Sequence, residues 1–230
     1  MAKAEKTGGS KVGRTIGNLL TAFGIVCILA ALTLTGYNWN QSRAAGEESA
    51  HALDIMSVQL PGYEKEGVTG DVLDTEMPVV QIDGRSYVGR IDIPRLDISL
   101  PVLAEWSEEG ADIAPCRYKG SVYNDTLIIA GHNFASHFGN LYQLADGDNV
   151  TFVDVNGAAY HYIVLTAETI DGYDLRGMEE GEWDLTLFTC NFSGVERTTV
   201  RCARVHQSSV NSSGGGVSNV ASSAATSSAA

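Results

Sequence analysis

The 230-residue sequence is short of proline (5), of cysteine (4) and of positive charge, with 15 Lys and Arg against 28 Asp and Glu and a formal net charge of −13. Each shortage excludes something. A nucleic-acid partner would require a clustered basic face to neutralise phosphates, which so acidic a chain does not offer. Four cysteines are too few for a disulfide framework at this length. One of them, Cys27, lies inside an apolar run, which leaves Cys116, Cys190 and Cys202. An odd number leaves at least one free thiol, while Cys116 and Cys202 are available to pair if the fold brings them together. A zinc site is not supported either, because no Cys-x2-Cys pair exists and the separation of His132 from His137 is not a known zinc spacing. Neither a metal nor a cofactor is expected.

Charge is missing altogether from residues 15–42, and residues 16–37 are mostly apolar. About 20 such residues match the hydrocarbon thickness of a bilayer, so residues 15–37 are read as a transmembrane helix. Lys3, Lys6, Lys11 and Arg14 precede it, whereas Glu47, Glu48 and Asp54 follow. The positive-inside rule then makes residues 1–14 a cytoplasmic tail and puts the remainder outside the cell, with Tyr37 and Trp39 at the outer interface. A cleaved signal peptide is the competing reading, with Ser42-Arg-Ala-Ala-Gly46 as its cleavage site, but its apolar core is usually shorter. Both readings export the rest of the chain.

Residues 38–80 form an acidic stalk with Pro61, Gly62, Gly67 and Gly70. Its first part has a weak helical spacing at Ala52, Ile55, Met56 and Gln59, which suggests one helix packing on the domain. Residues 208–230 are dominated by Ser, Gly and Ala without charge and are expected to be disordered. The domain between, residues 81–207, reads as short strands at 86–93, 126–130, 149–155, 158–170, 185–190 and 197–205. Asp83-Gly84, Asp146-Gly147-Asp148 and Asn156-Gly157 supply turns, and Asn-Gly is a strong hairpin signal. Within 86–93, Tyr87, Gly89, Ile91 and Ile93 alternate against Val88, Arg90 and Asp92. An all-β barrel or sandwich follows.

Two segments carry chemistry. Leu185-Thr-Leu-Phe-Thr-Cys190 ends an alternating strand in a thiol, with Asn191, Ser193 and Gly194 reading as a loop and Arg197 opening the next strand. Thr126-Leu-Ile-Ile-Ala-Gly-His132-Asn runs a second strand through a glycine into a histidine. A cysteine by itself is more often a small buried hydrophobe, and a loop histidine a solvated side chain. Together, a thiol, an imidazole and a fixed cation are the groups that thiol acyl transfer uses. Arg201 lies four residues beyond Arg197 on the same strand face, about 13 Å away, so only one of the two reaches the sulfur. Arg204 points to the other face. Asn-x-Ser/Thr matches at Asn124 and Asn191 are set aside as chance, since a glycan on Asn191 would block the adjacent thiol.

These segments, with Tyr87-Val-Gly-Arg-Ile-Asp-Ile-Pro94, resemble the sortases, cysteine transpeptidases of the bacterial cell surface, over residues 86–205. The resemblance implies a closed eight-stranded β-barrel with a few short helices. It implies Cys190 as nucleophile, His132 as general acid, and Arg197 as oxyanion or substrate-carbonyl donor, with Arg201 in reserve. The implied partners are exported proteins bearing a C-terminal Leu-Pro-x-Thr-Gly-like sorting signal and, as acceptor, an amine of a cell-wall precursor or a pilin. Residues 105–117 lack the Asp-Pro-aromatic lid of the pilin-polymerising class C, and no second apolar span follows, which points to class B or class D. Residues 169–184, with Tyr173, Leu175, Met178 and Trp183, are expected either to wall the substrate groove or to pack as a surface element. Two other readings stand beside the transpeptidase: a non-enzymatic exported barrel, and a cysteine peptidase that passes the acyl group to water.

Overall fold

The structure is a computed structural model that describes residues 11–59, 65–66, 76–191 and 194–205. The expected Ser/Gly/Ala tail at 208–230 and most of the Pro/Gly part of the stalk lie outside the described residues.

A single helix, α1 (Lys11–Gln59, 49 residues), runs through both the apolar run and the first part of the stalk. No break occurs at residue 37, because the first proline in the chain is Pro61 and only isolated glycines interrupt the run before it. The two halves of α1 differ in what they meet. Ile16, Leu19, Phe23, Val26 and Leu32 are all more than half exposed, and this half has the length and composition of a membrane span. In the other half Ala45, Ser49, Ala52 and Met56 are buried. Their 4-3-4 spacing is one helical stripe. Ala52 and Met56 pack with Leu103, Ala111 and Cys116, and burial of Met56 alone is worth about 2 kcal/mol.

Among the described residues ten strands follow: β1 (Lys65–Glu66), β2 (Val80–Ile82), β3 (Arg85–Ile93), β4 (Ile98–Leu103), β5 (Cys116–Lys119), β6 (Leu127–Ala130), β7 (Asn149–Asp154), β8 (Ala158–Asp171), β9 (Leu185–Cys190) and β10 (Glu196–Arg204). Eight of them close a barrel in the order β3-β4-β5-β6-β9-β10-β8-β7 and back to β3. β2 pairs with β3 and β1 with β8 outside this ring. Two single-turn helices, α2 (Glu108–Ala111) and α3 (Leu175–Glu179), and short 3-10 turns fill the connections. The expected eight-stranded barrel with a few short helices is therefore the observed fold.

The turn signals are used as their chemistry requires. Asp83 (φ 49°) and Gly84 (φ 78°) both take the left-handed conformation that a two-residue hairpin between β2 and β3 needs. At the Asn156-Gly157 hairpin the Asp154 carboxylate accepts the backbone N–H of Asn156 and of Ala158. Ile91, Ile93, Val102, Ile129, Phe152 and Leu187 face the barrel interior. The simple alternation expected for 86–93 fails at one place, because the β3/β4 register shifts between Tyr87 and Gly89. That bulge turns Val88 into the barrel core and Tyr87 into the cluster beneath α1. Cys116 and Cys202 are both free and buried, the first in that outer cluster and the second in the barrel core, so the pairing left open by the sequence is not made.

Candidate active site

β6, β9 and β10 are adjacent, and their register brings the three sequence-selected groups to one rim. β6 and β9 run parallel with Ala130 opposite Phe188. His132 lies two residues beyond Ala130, and Cys190 two beyond Phe188. The Gly131 N–H donates to Phe188 O at 3.1 Å, which carries the ladder past the strand end. β9 and β10 run antiparallel with Cys190 directly opposite Arg197. Because Leu185, Leu187, Val200 and Cys202 point into the barrel, alternation sends Cys190 and Arg197 to its outer face. Side chains opposed on one face of such a pair have Cβ atoms about 5 Å apart.

Cys190 is exposed, unlike the buried Cys116 and Cys202. Burial pushes the other two thiols up, to about 11 and about 12 respectively, and so keeps them protonated and inert at neutral pH. The chain beyond Cys190 is closed by Asn191, whose N–H donates to Glu196 O and whose side-chain amide donates to the Glu196 carboxylate at 2.8 Å.

His132 is partly exposed, with Nε2 3.4 Å from Asp112 Oδ1 and 4.0 Å from Glu108 Oε2. Trp106 meets its ring edge-on at 6.4 Å and Phe134 lies at 5.2 Å. Both carboxylates come from the α2 segment, which Ser107 starts by accepting the Gly110 N–H on its hydroxyl. Sequence reasoning missed Asp112, Glu108 and Trp106. They are about 20 residues from His132 in the chain, and only the Ser107-Glu108-Glu109 helix start marked the segment. Gly131 serves here by size rather than by an unusual φ: a Cβ there would come within 2.9 Å of the Phe138 ring.

Arg197 lies over the Phe188 ring at 5.5 Å and points Nη1 toward Met178 Sδ at 3.9 Å. Its Nε is buried without a hydrogen-bond partner among the described residues. Arg201 is spent elsewhere. Nη1 donates to Met178 O at 2.9 Å and Thr186 Oγ1 at 3.1 Å, Nη2 to Gly177 O, and Nε to Glu168 at 3.0 Å, with Trp183 stacked at 5.8 Å. The reserve cation thus holds α3 against the barrel and is not available to a substrate. Arg204 is likewise occupied by Asp125, Val122 O and the Tyr160 ring.

Of the residues singled out in the 169–184 segment, Met178 packs on the barrel as expected of a surface element, and Leu175 does not. Met178 is buried with Ile128, Ala130 and Phe188 as the floor beside Arg197, whereas Tyr173 (89% exposed) and Leu175 (52%) are presented to solvent. His137, five residues from His132, is fully buried; desolvation pushes it down to about 4 and keeps it neutral. Among the described residues no group of three or more His, Cys, Asp and Glu is arranged to hold a metal ion.

A family model described as Sortase domain matches residues 91–205. Sortase A of Bacillus anthracis is 26% identical over 156 residues, covering 62% of this chain and 74% of that protein. Among solved structures, sortase C1 from Streptococcus agalactiae is 30% identical with a TM-score of 0.48, over 55% of this chain and 71% of that one. Sortase A from Corynebacterium diphtheriae is 22% identical with a TM-score of 0.49, over 55% and 64%.

Proposed function

The chain belongs to the sortase family, whose members are cell-wall sorting transpeptidases, and from that premise we propose that it is a membrane-anchored sortase with Cys190, His132 and Arg197 as its catalytic residues. The single observation that carries the assignment is the register: Cys190 faces Arg197 across β9/β10, and His132 leaves β6 at the same level. Cys190 attacks the peptide carbonyl of the sorting signal as thiolate, with the nearby cations stabilising its charge. Arg197 cannot lose its proton, so it remains a donor to the oxyanion or to substrate carbonyls. Its unpartnered Nε accords with a partner that arrives with the substrate. As the C–N bond breaks, the imidazolium of His132 passes its proton to the departing amine. The thioester on Cys190 is then resolved by an incoming amine, which gives up a proton to His132. Asp112 and Glu108 place negative charge beside the ring that is positive in half of this cycle.

The finer reading is a Leu-Pro-x-Thr-Gly-like signal on exported proteins, a cell-wall precursor or pilin amine as acceptor, and class B or class D. It rests on family resemblance and on the missing lid in residues 105–117. The apolar half of α1 supports a retained single-pass anchor with the N-terminus cytoplasmic and the barrel outside. Cys190→Ala is expected to abolish cleavage of sorting-signal peptides while leaving the fold intact. Residual cleavage by that variant would falsify the choice of nucleophile. Product analysis with and without an added amine separates transfer from hydrolysis, and screening libraries of five-residue signals identifies the motif.

A further inference from the structure

We propose that Ser49, on the docked half of α1, is a positioning residue for His132; this deepens the functional reading above and rests on it. Ser49 is buried, and its hydroxyl joins two separate segments. It donates to Ile113 O at 2.7 Å, and Ile113 directly follows Asp112, whose carboxylate faces His132. With its proton committed there, the oxygen accepts from His137 Nε2 at 3.1 Å. That assignment makes His137 the Nε2–H tautomer and leaves Nδ1 unprotonated, in agreement with a buried Nδ1 that has no partner among the described residues.

His137 is tied back to His132 through a short braced loop. The His137 N–H donates to Phe134 O, the Gly139 N–H to the same oxygen, and the Phe138 N–H to His132 O. The Phe134 ring lies between the two imidazoles, 5.2 Å from one and 5.6 Å from the other. A second clamp lies about two helical turns earlier, where Ser136 Oγ donates to Ser42 O at 2.6 Å. Gly46 allows this approach, since a Cβ there would come within 3.1 Å of Ser136 Cβ. One hydroxyl of the membrane-proximal helix therefore sets both the loop that carries the imidazole and the segment that carries the carboxylate beside it. A loop displaced by a fraction of an ångström costs a proton-transfer step far more than it costs substrate binding.

The experiment uses the full chain in lipid nanodiscs and two probes: a fluorogenic peptide containing Leu-Pro-Glu-Thr-Gly, and iodoacetamide with Cys190 followed by peptide mass spectrometry. Alanine is the best helix former, so Ser49→Ala retains α1, which circular dichroism verifies. Ser49→Ala is expected to lower kcat about tenfold with KM within about twofold, and to slow Cys190 alkylation about threefold or more. Ser49→Thr, which keeps the hydroxyl, restores most of both. In an Asp112→Asn background Ser49→Ala costs much less, because the two residues act through one geometry. Alkylation reports even if the peptide is not a substrate. An unchanged alkylation rate in Ser49→Ala while His132→Ala slows it overturns the positioning role and leaves the functional reading standing. A full Ser49→Ala loss that persists in Asp112→Asn, or that Ser49→Thr does not rescue, also overturns it. Should His132→Ala itself leave alkylation and cleavage intact, the functional reading fails instead.

Discussion

The barrel rim and the packed interior behind it hold the same three residue types with opposite fates. At the rim Cys190 is exposed, His132 is partly exposed and Arg197 Nε lacks a partner among the described residues. In the packed interior Cys202 lies in the barrel core, His137 is buried and neutral beneath α1, and Arg201 makes four hydrogen bonds beneath α3. Arg197 and Arg201 are even on the same face of one strand. For the arginines the level along β10 makes the difference: four residues further in, α3 supplies carbonyls and β8 a carboxylate to Arg201, whereas Arg197 at the edge meets the Phe188 ring and Met178 Sδ.

The cysteine pair should give the sharpest contrast. In the folded protein Cys190 is expected to be alkylated to completion at pH 7 before Cys116 or Cys202 reacts measurably, by peptide mass spectrometry. Comparable rates at all three would erase the distinction. For the arginines, Arg197→Lys should lower kcat/KM about 100-fold, since a point charge replaces a planar fork, with little change in the urea midpoint. Arg201→Met should do the reverse, costing about 3 kcal/mol in urea unfolding because Gly177 O, Met178 O and Glu168 lose their shared donor. If Arg201→Met left stability intact, its role as a clamp on α3 would be wrong.

The histidine pair offers a smaller effect with a definite sign. His137 has an ordinary value of 6.5 and is pushed down to about 4 by burial, so between those limits the unfolded chain binds more protons than the folded one. Its contribution is intact above about pH 6.5 and fades as the pH falls toward and below 4, by about 3 kcal/mol in all. Thermal melts from pH 7 to 4 should show a decline that is shallower in His137→Gln. Parallel curves for the two proteins would assign the decline to other groups.

The strands were readable because each is a short alternating run bounded by a turn, and the bounds of β9 match the expectation residue for residue. The placement of Cys190, His132 and Arg197 at one rim was legible for the same reason: each lies at or just past a strand end that the pattern marks. What was not legible depends on contacts between distant segments. The β3 bulge inverts Tyr87 and Val88 without any compositional sign, and β5 is a four-residue strand with no alternation to announce it. Asp112 meets His132 only because α2 folds over the rim, and Ser49 reads in sequence as one more polar position on a helix. Its partners are 64 and 88 residues away.

The absence of any hinge in α1 has a consequence for reach. Counting 1.5 Å per residue, the first clamp at Ser42 lies roughly 8 Å past residue 37, so an anchored enzyme would stand on a stiff post rather than trail on a leash. Its reactive edge would sweep a thin layer parallel to the lipid surface. Clients still tethered in the same leaflet would meet it by lateral diffusion in two dimensions, whereas freely released ones would have to find that layer from the bulk.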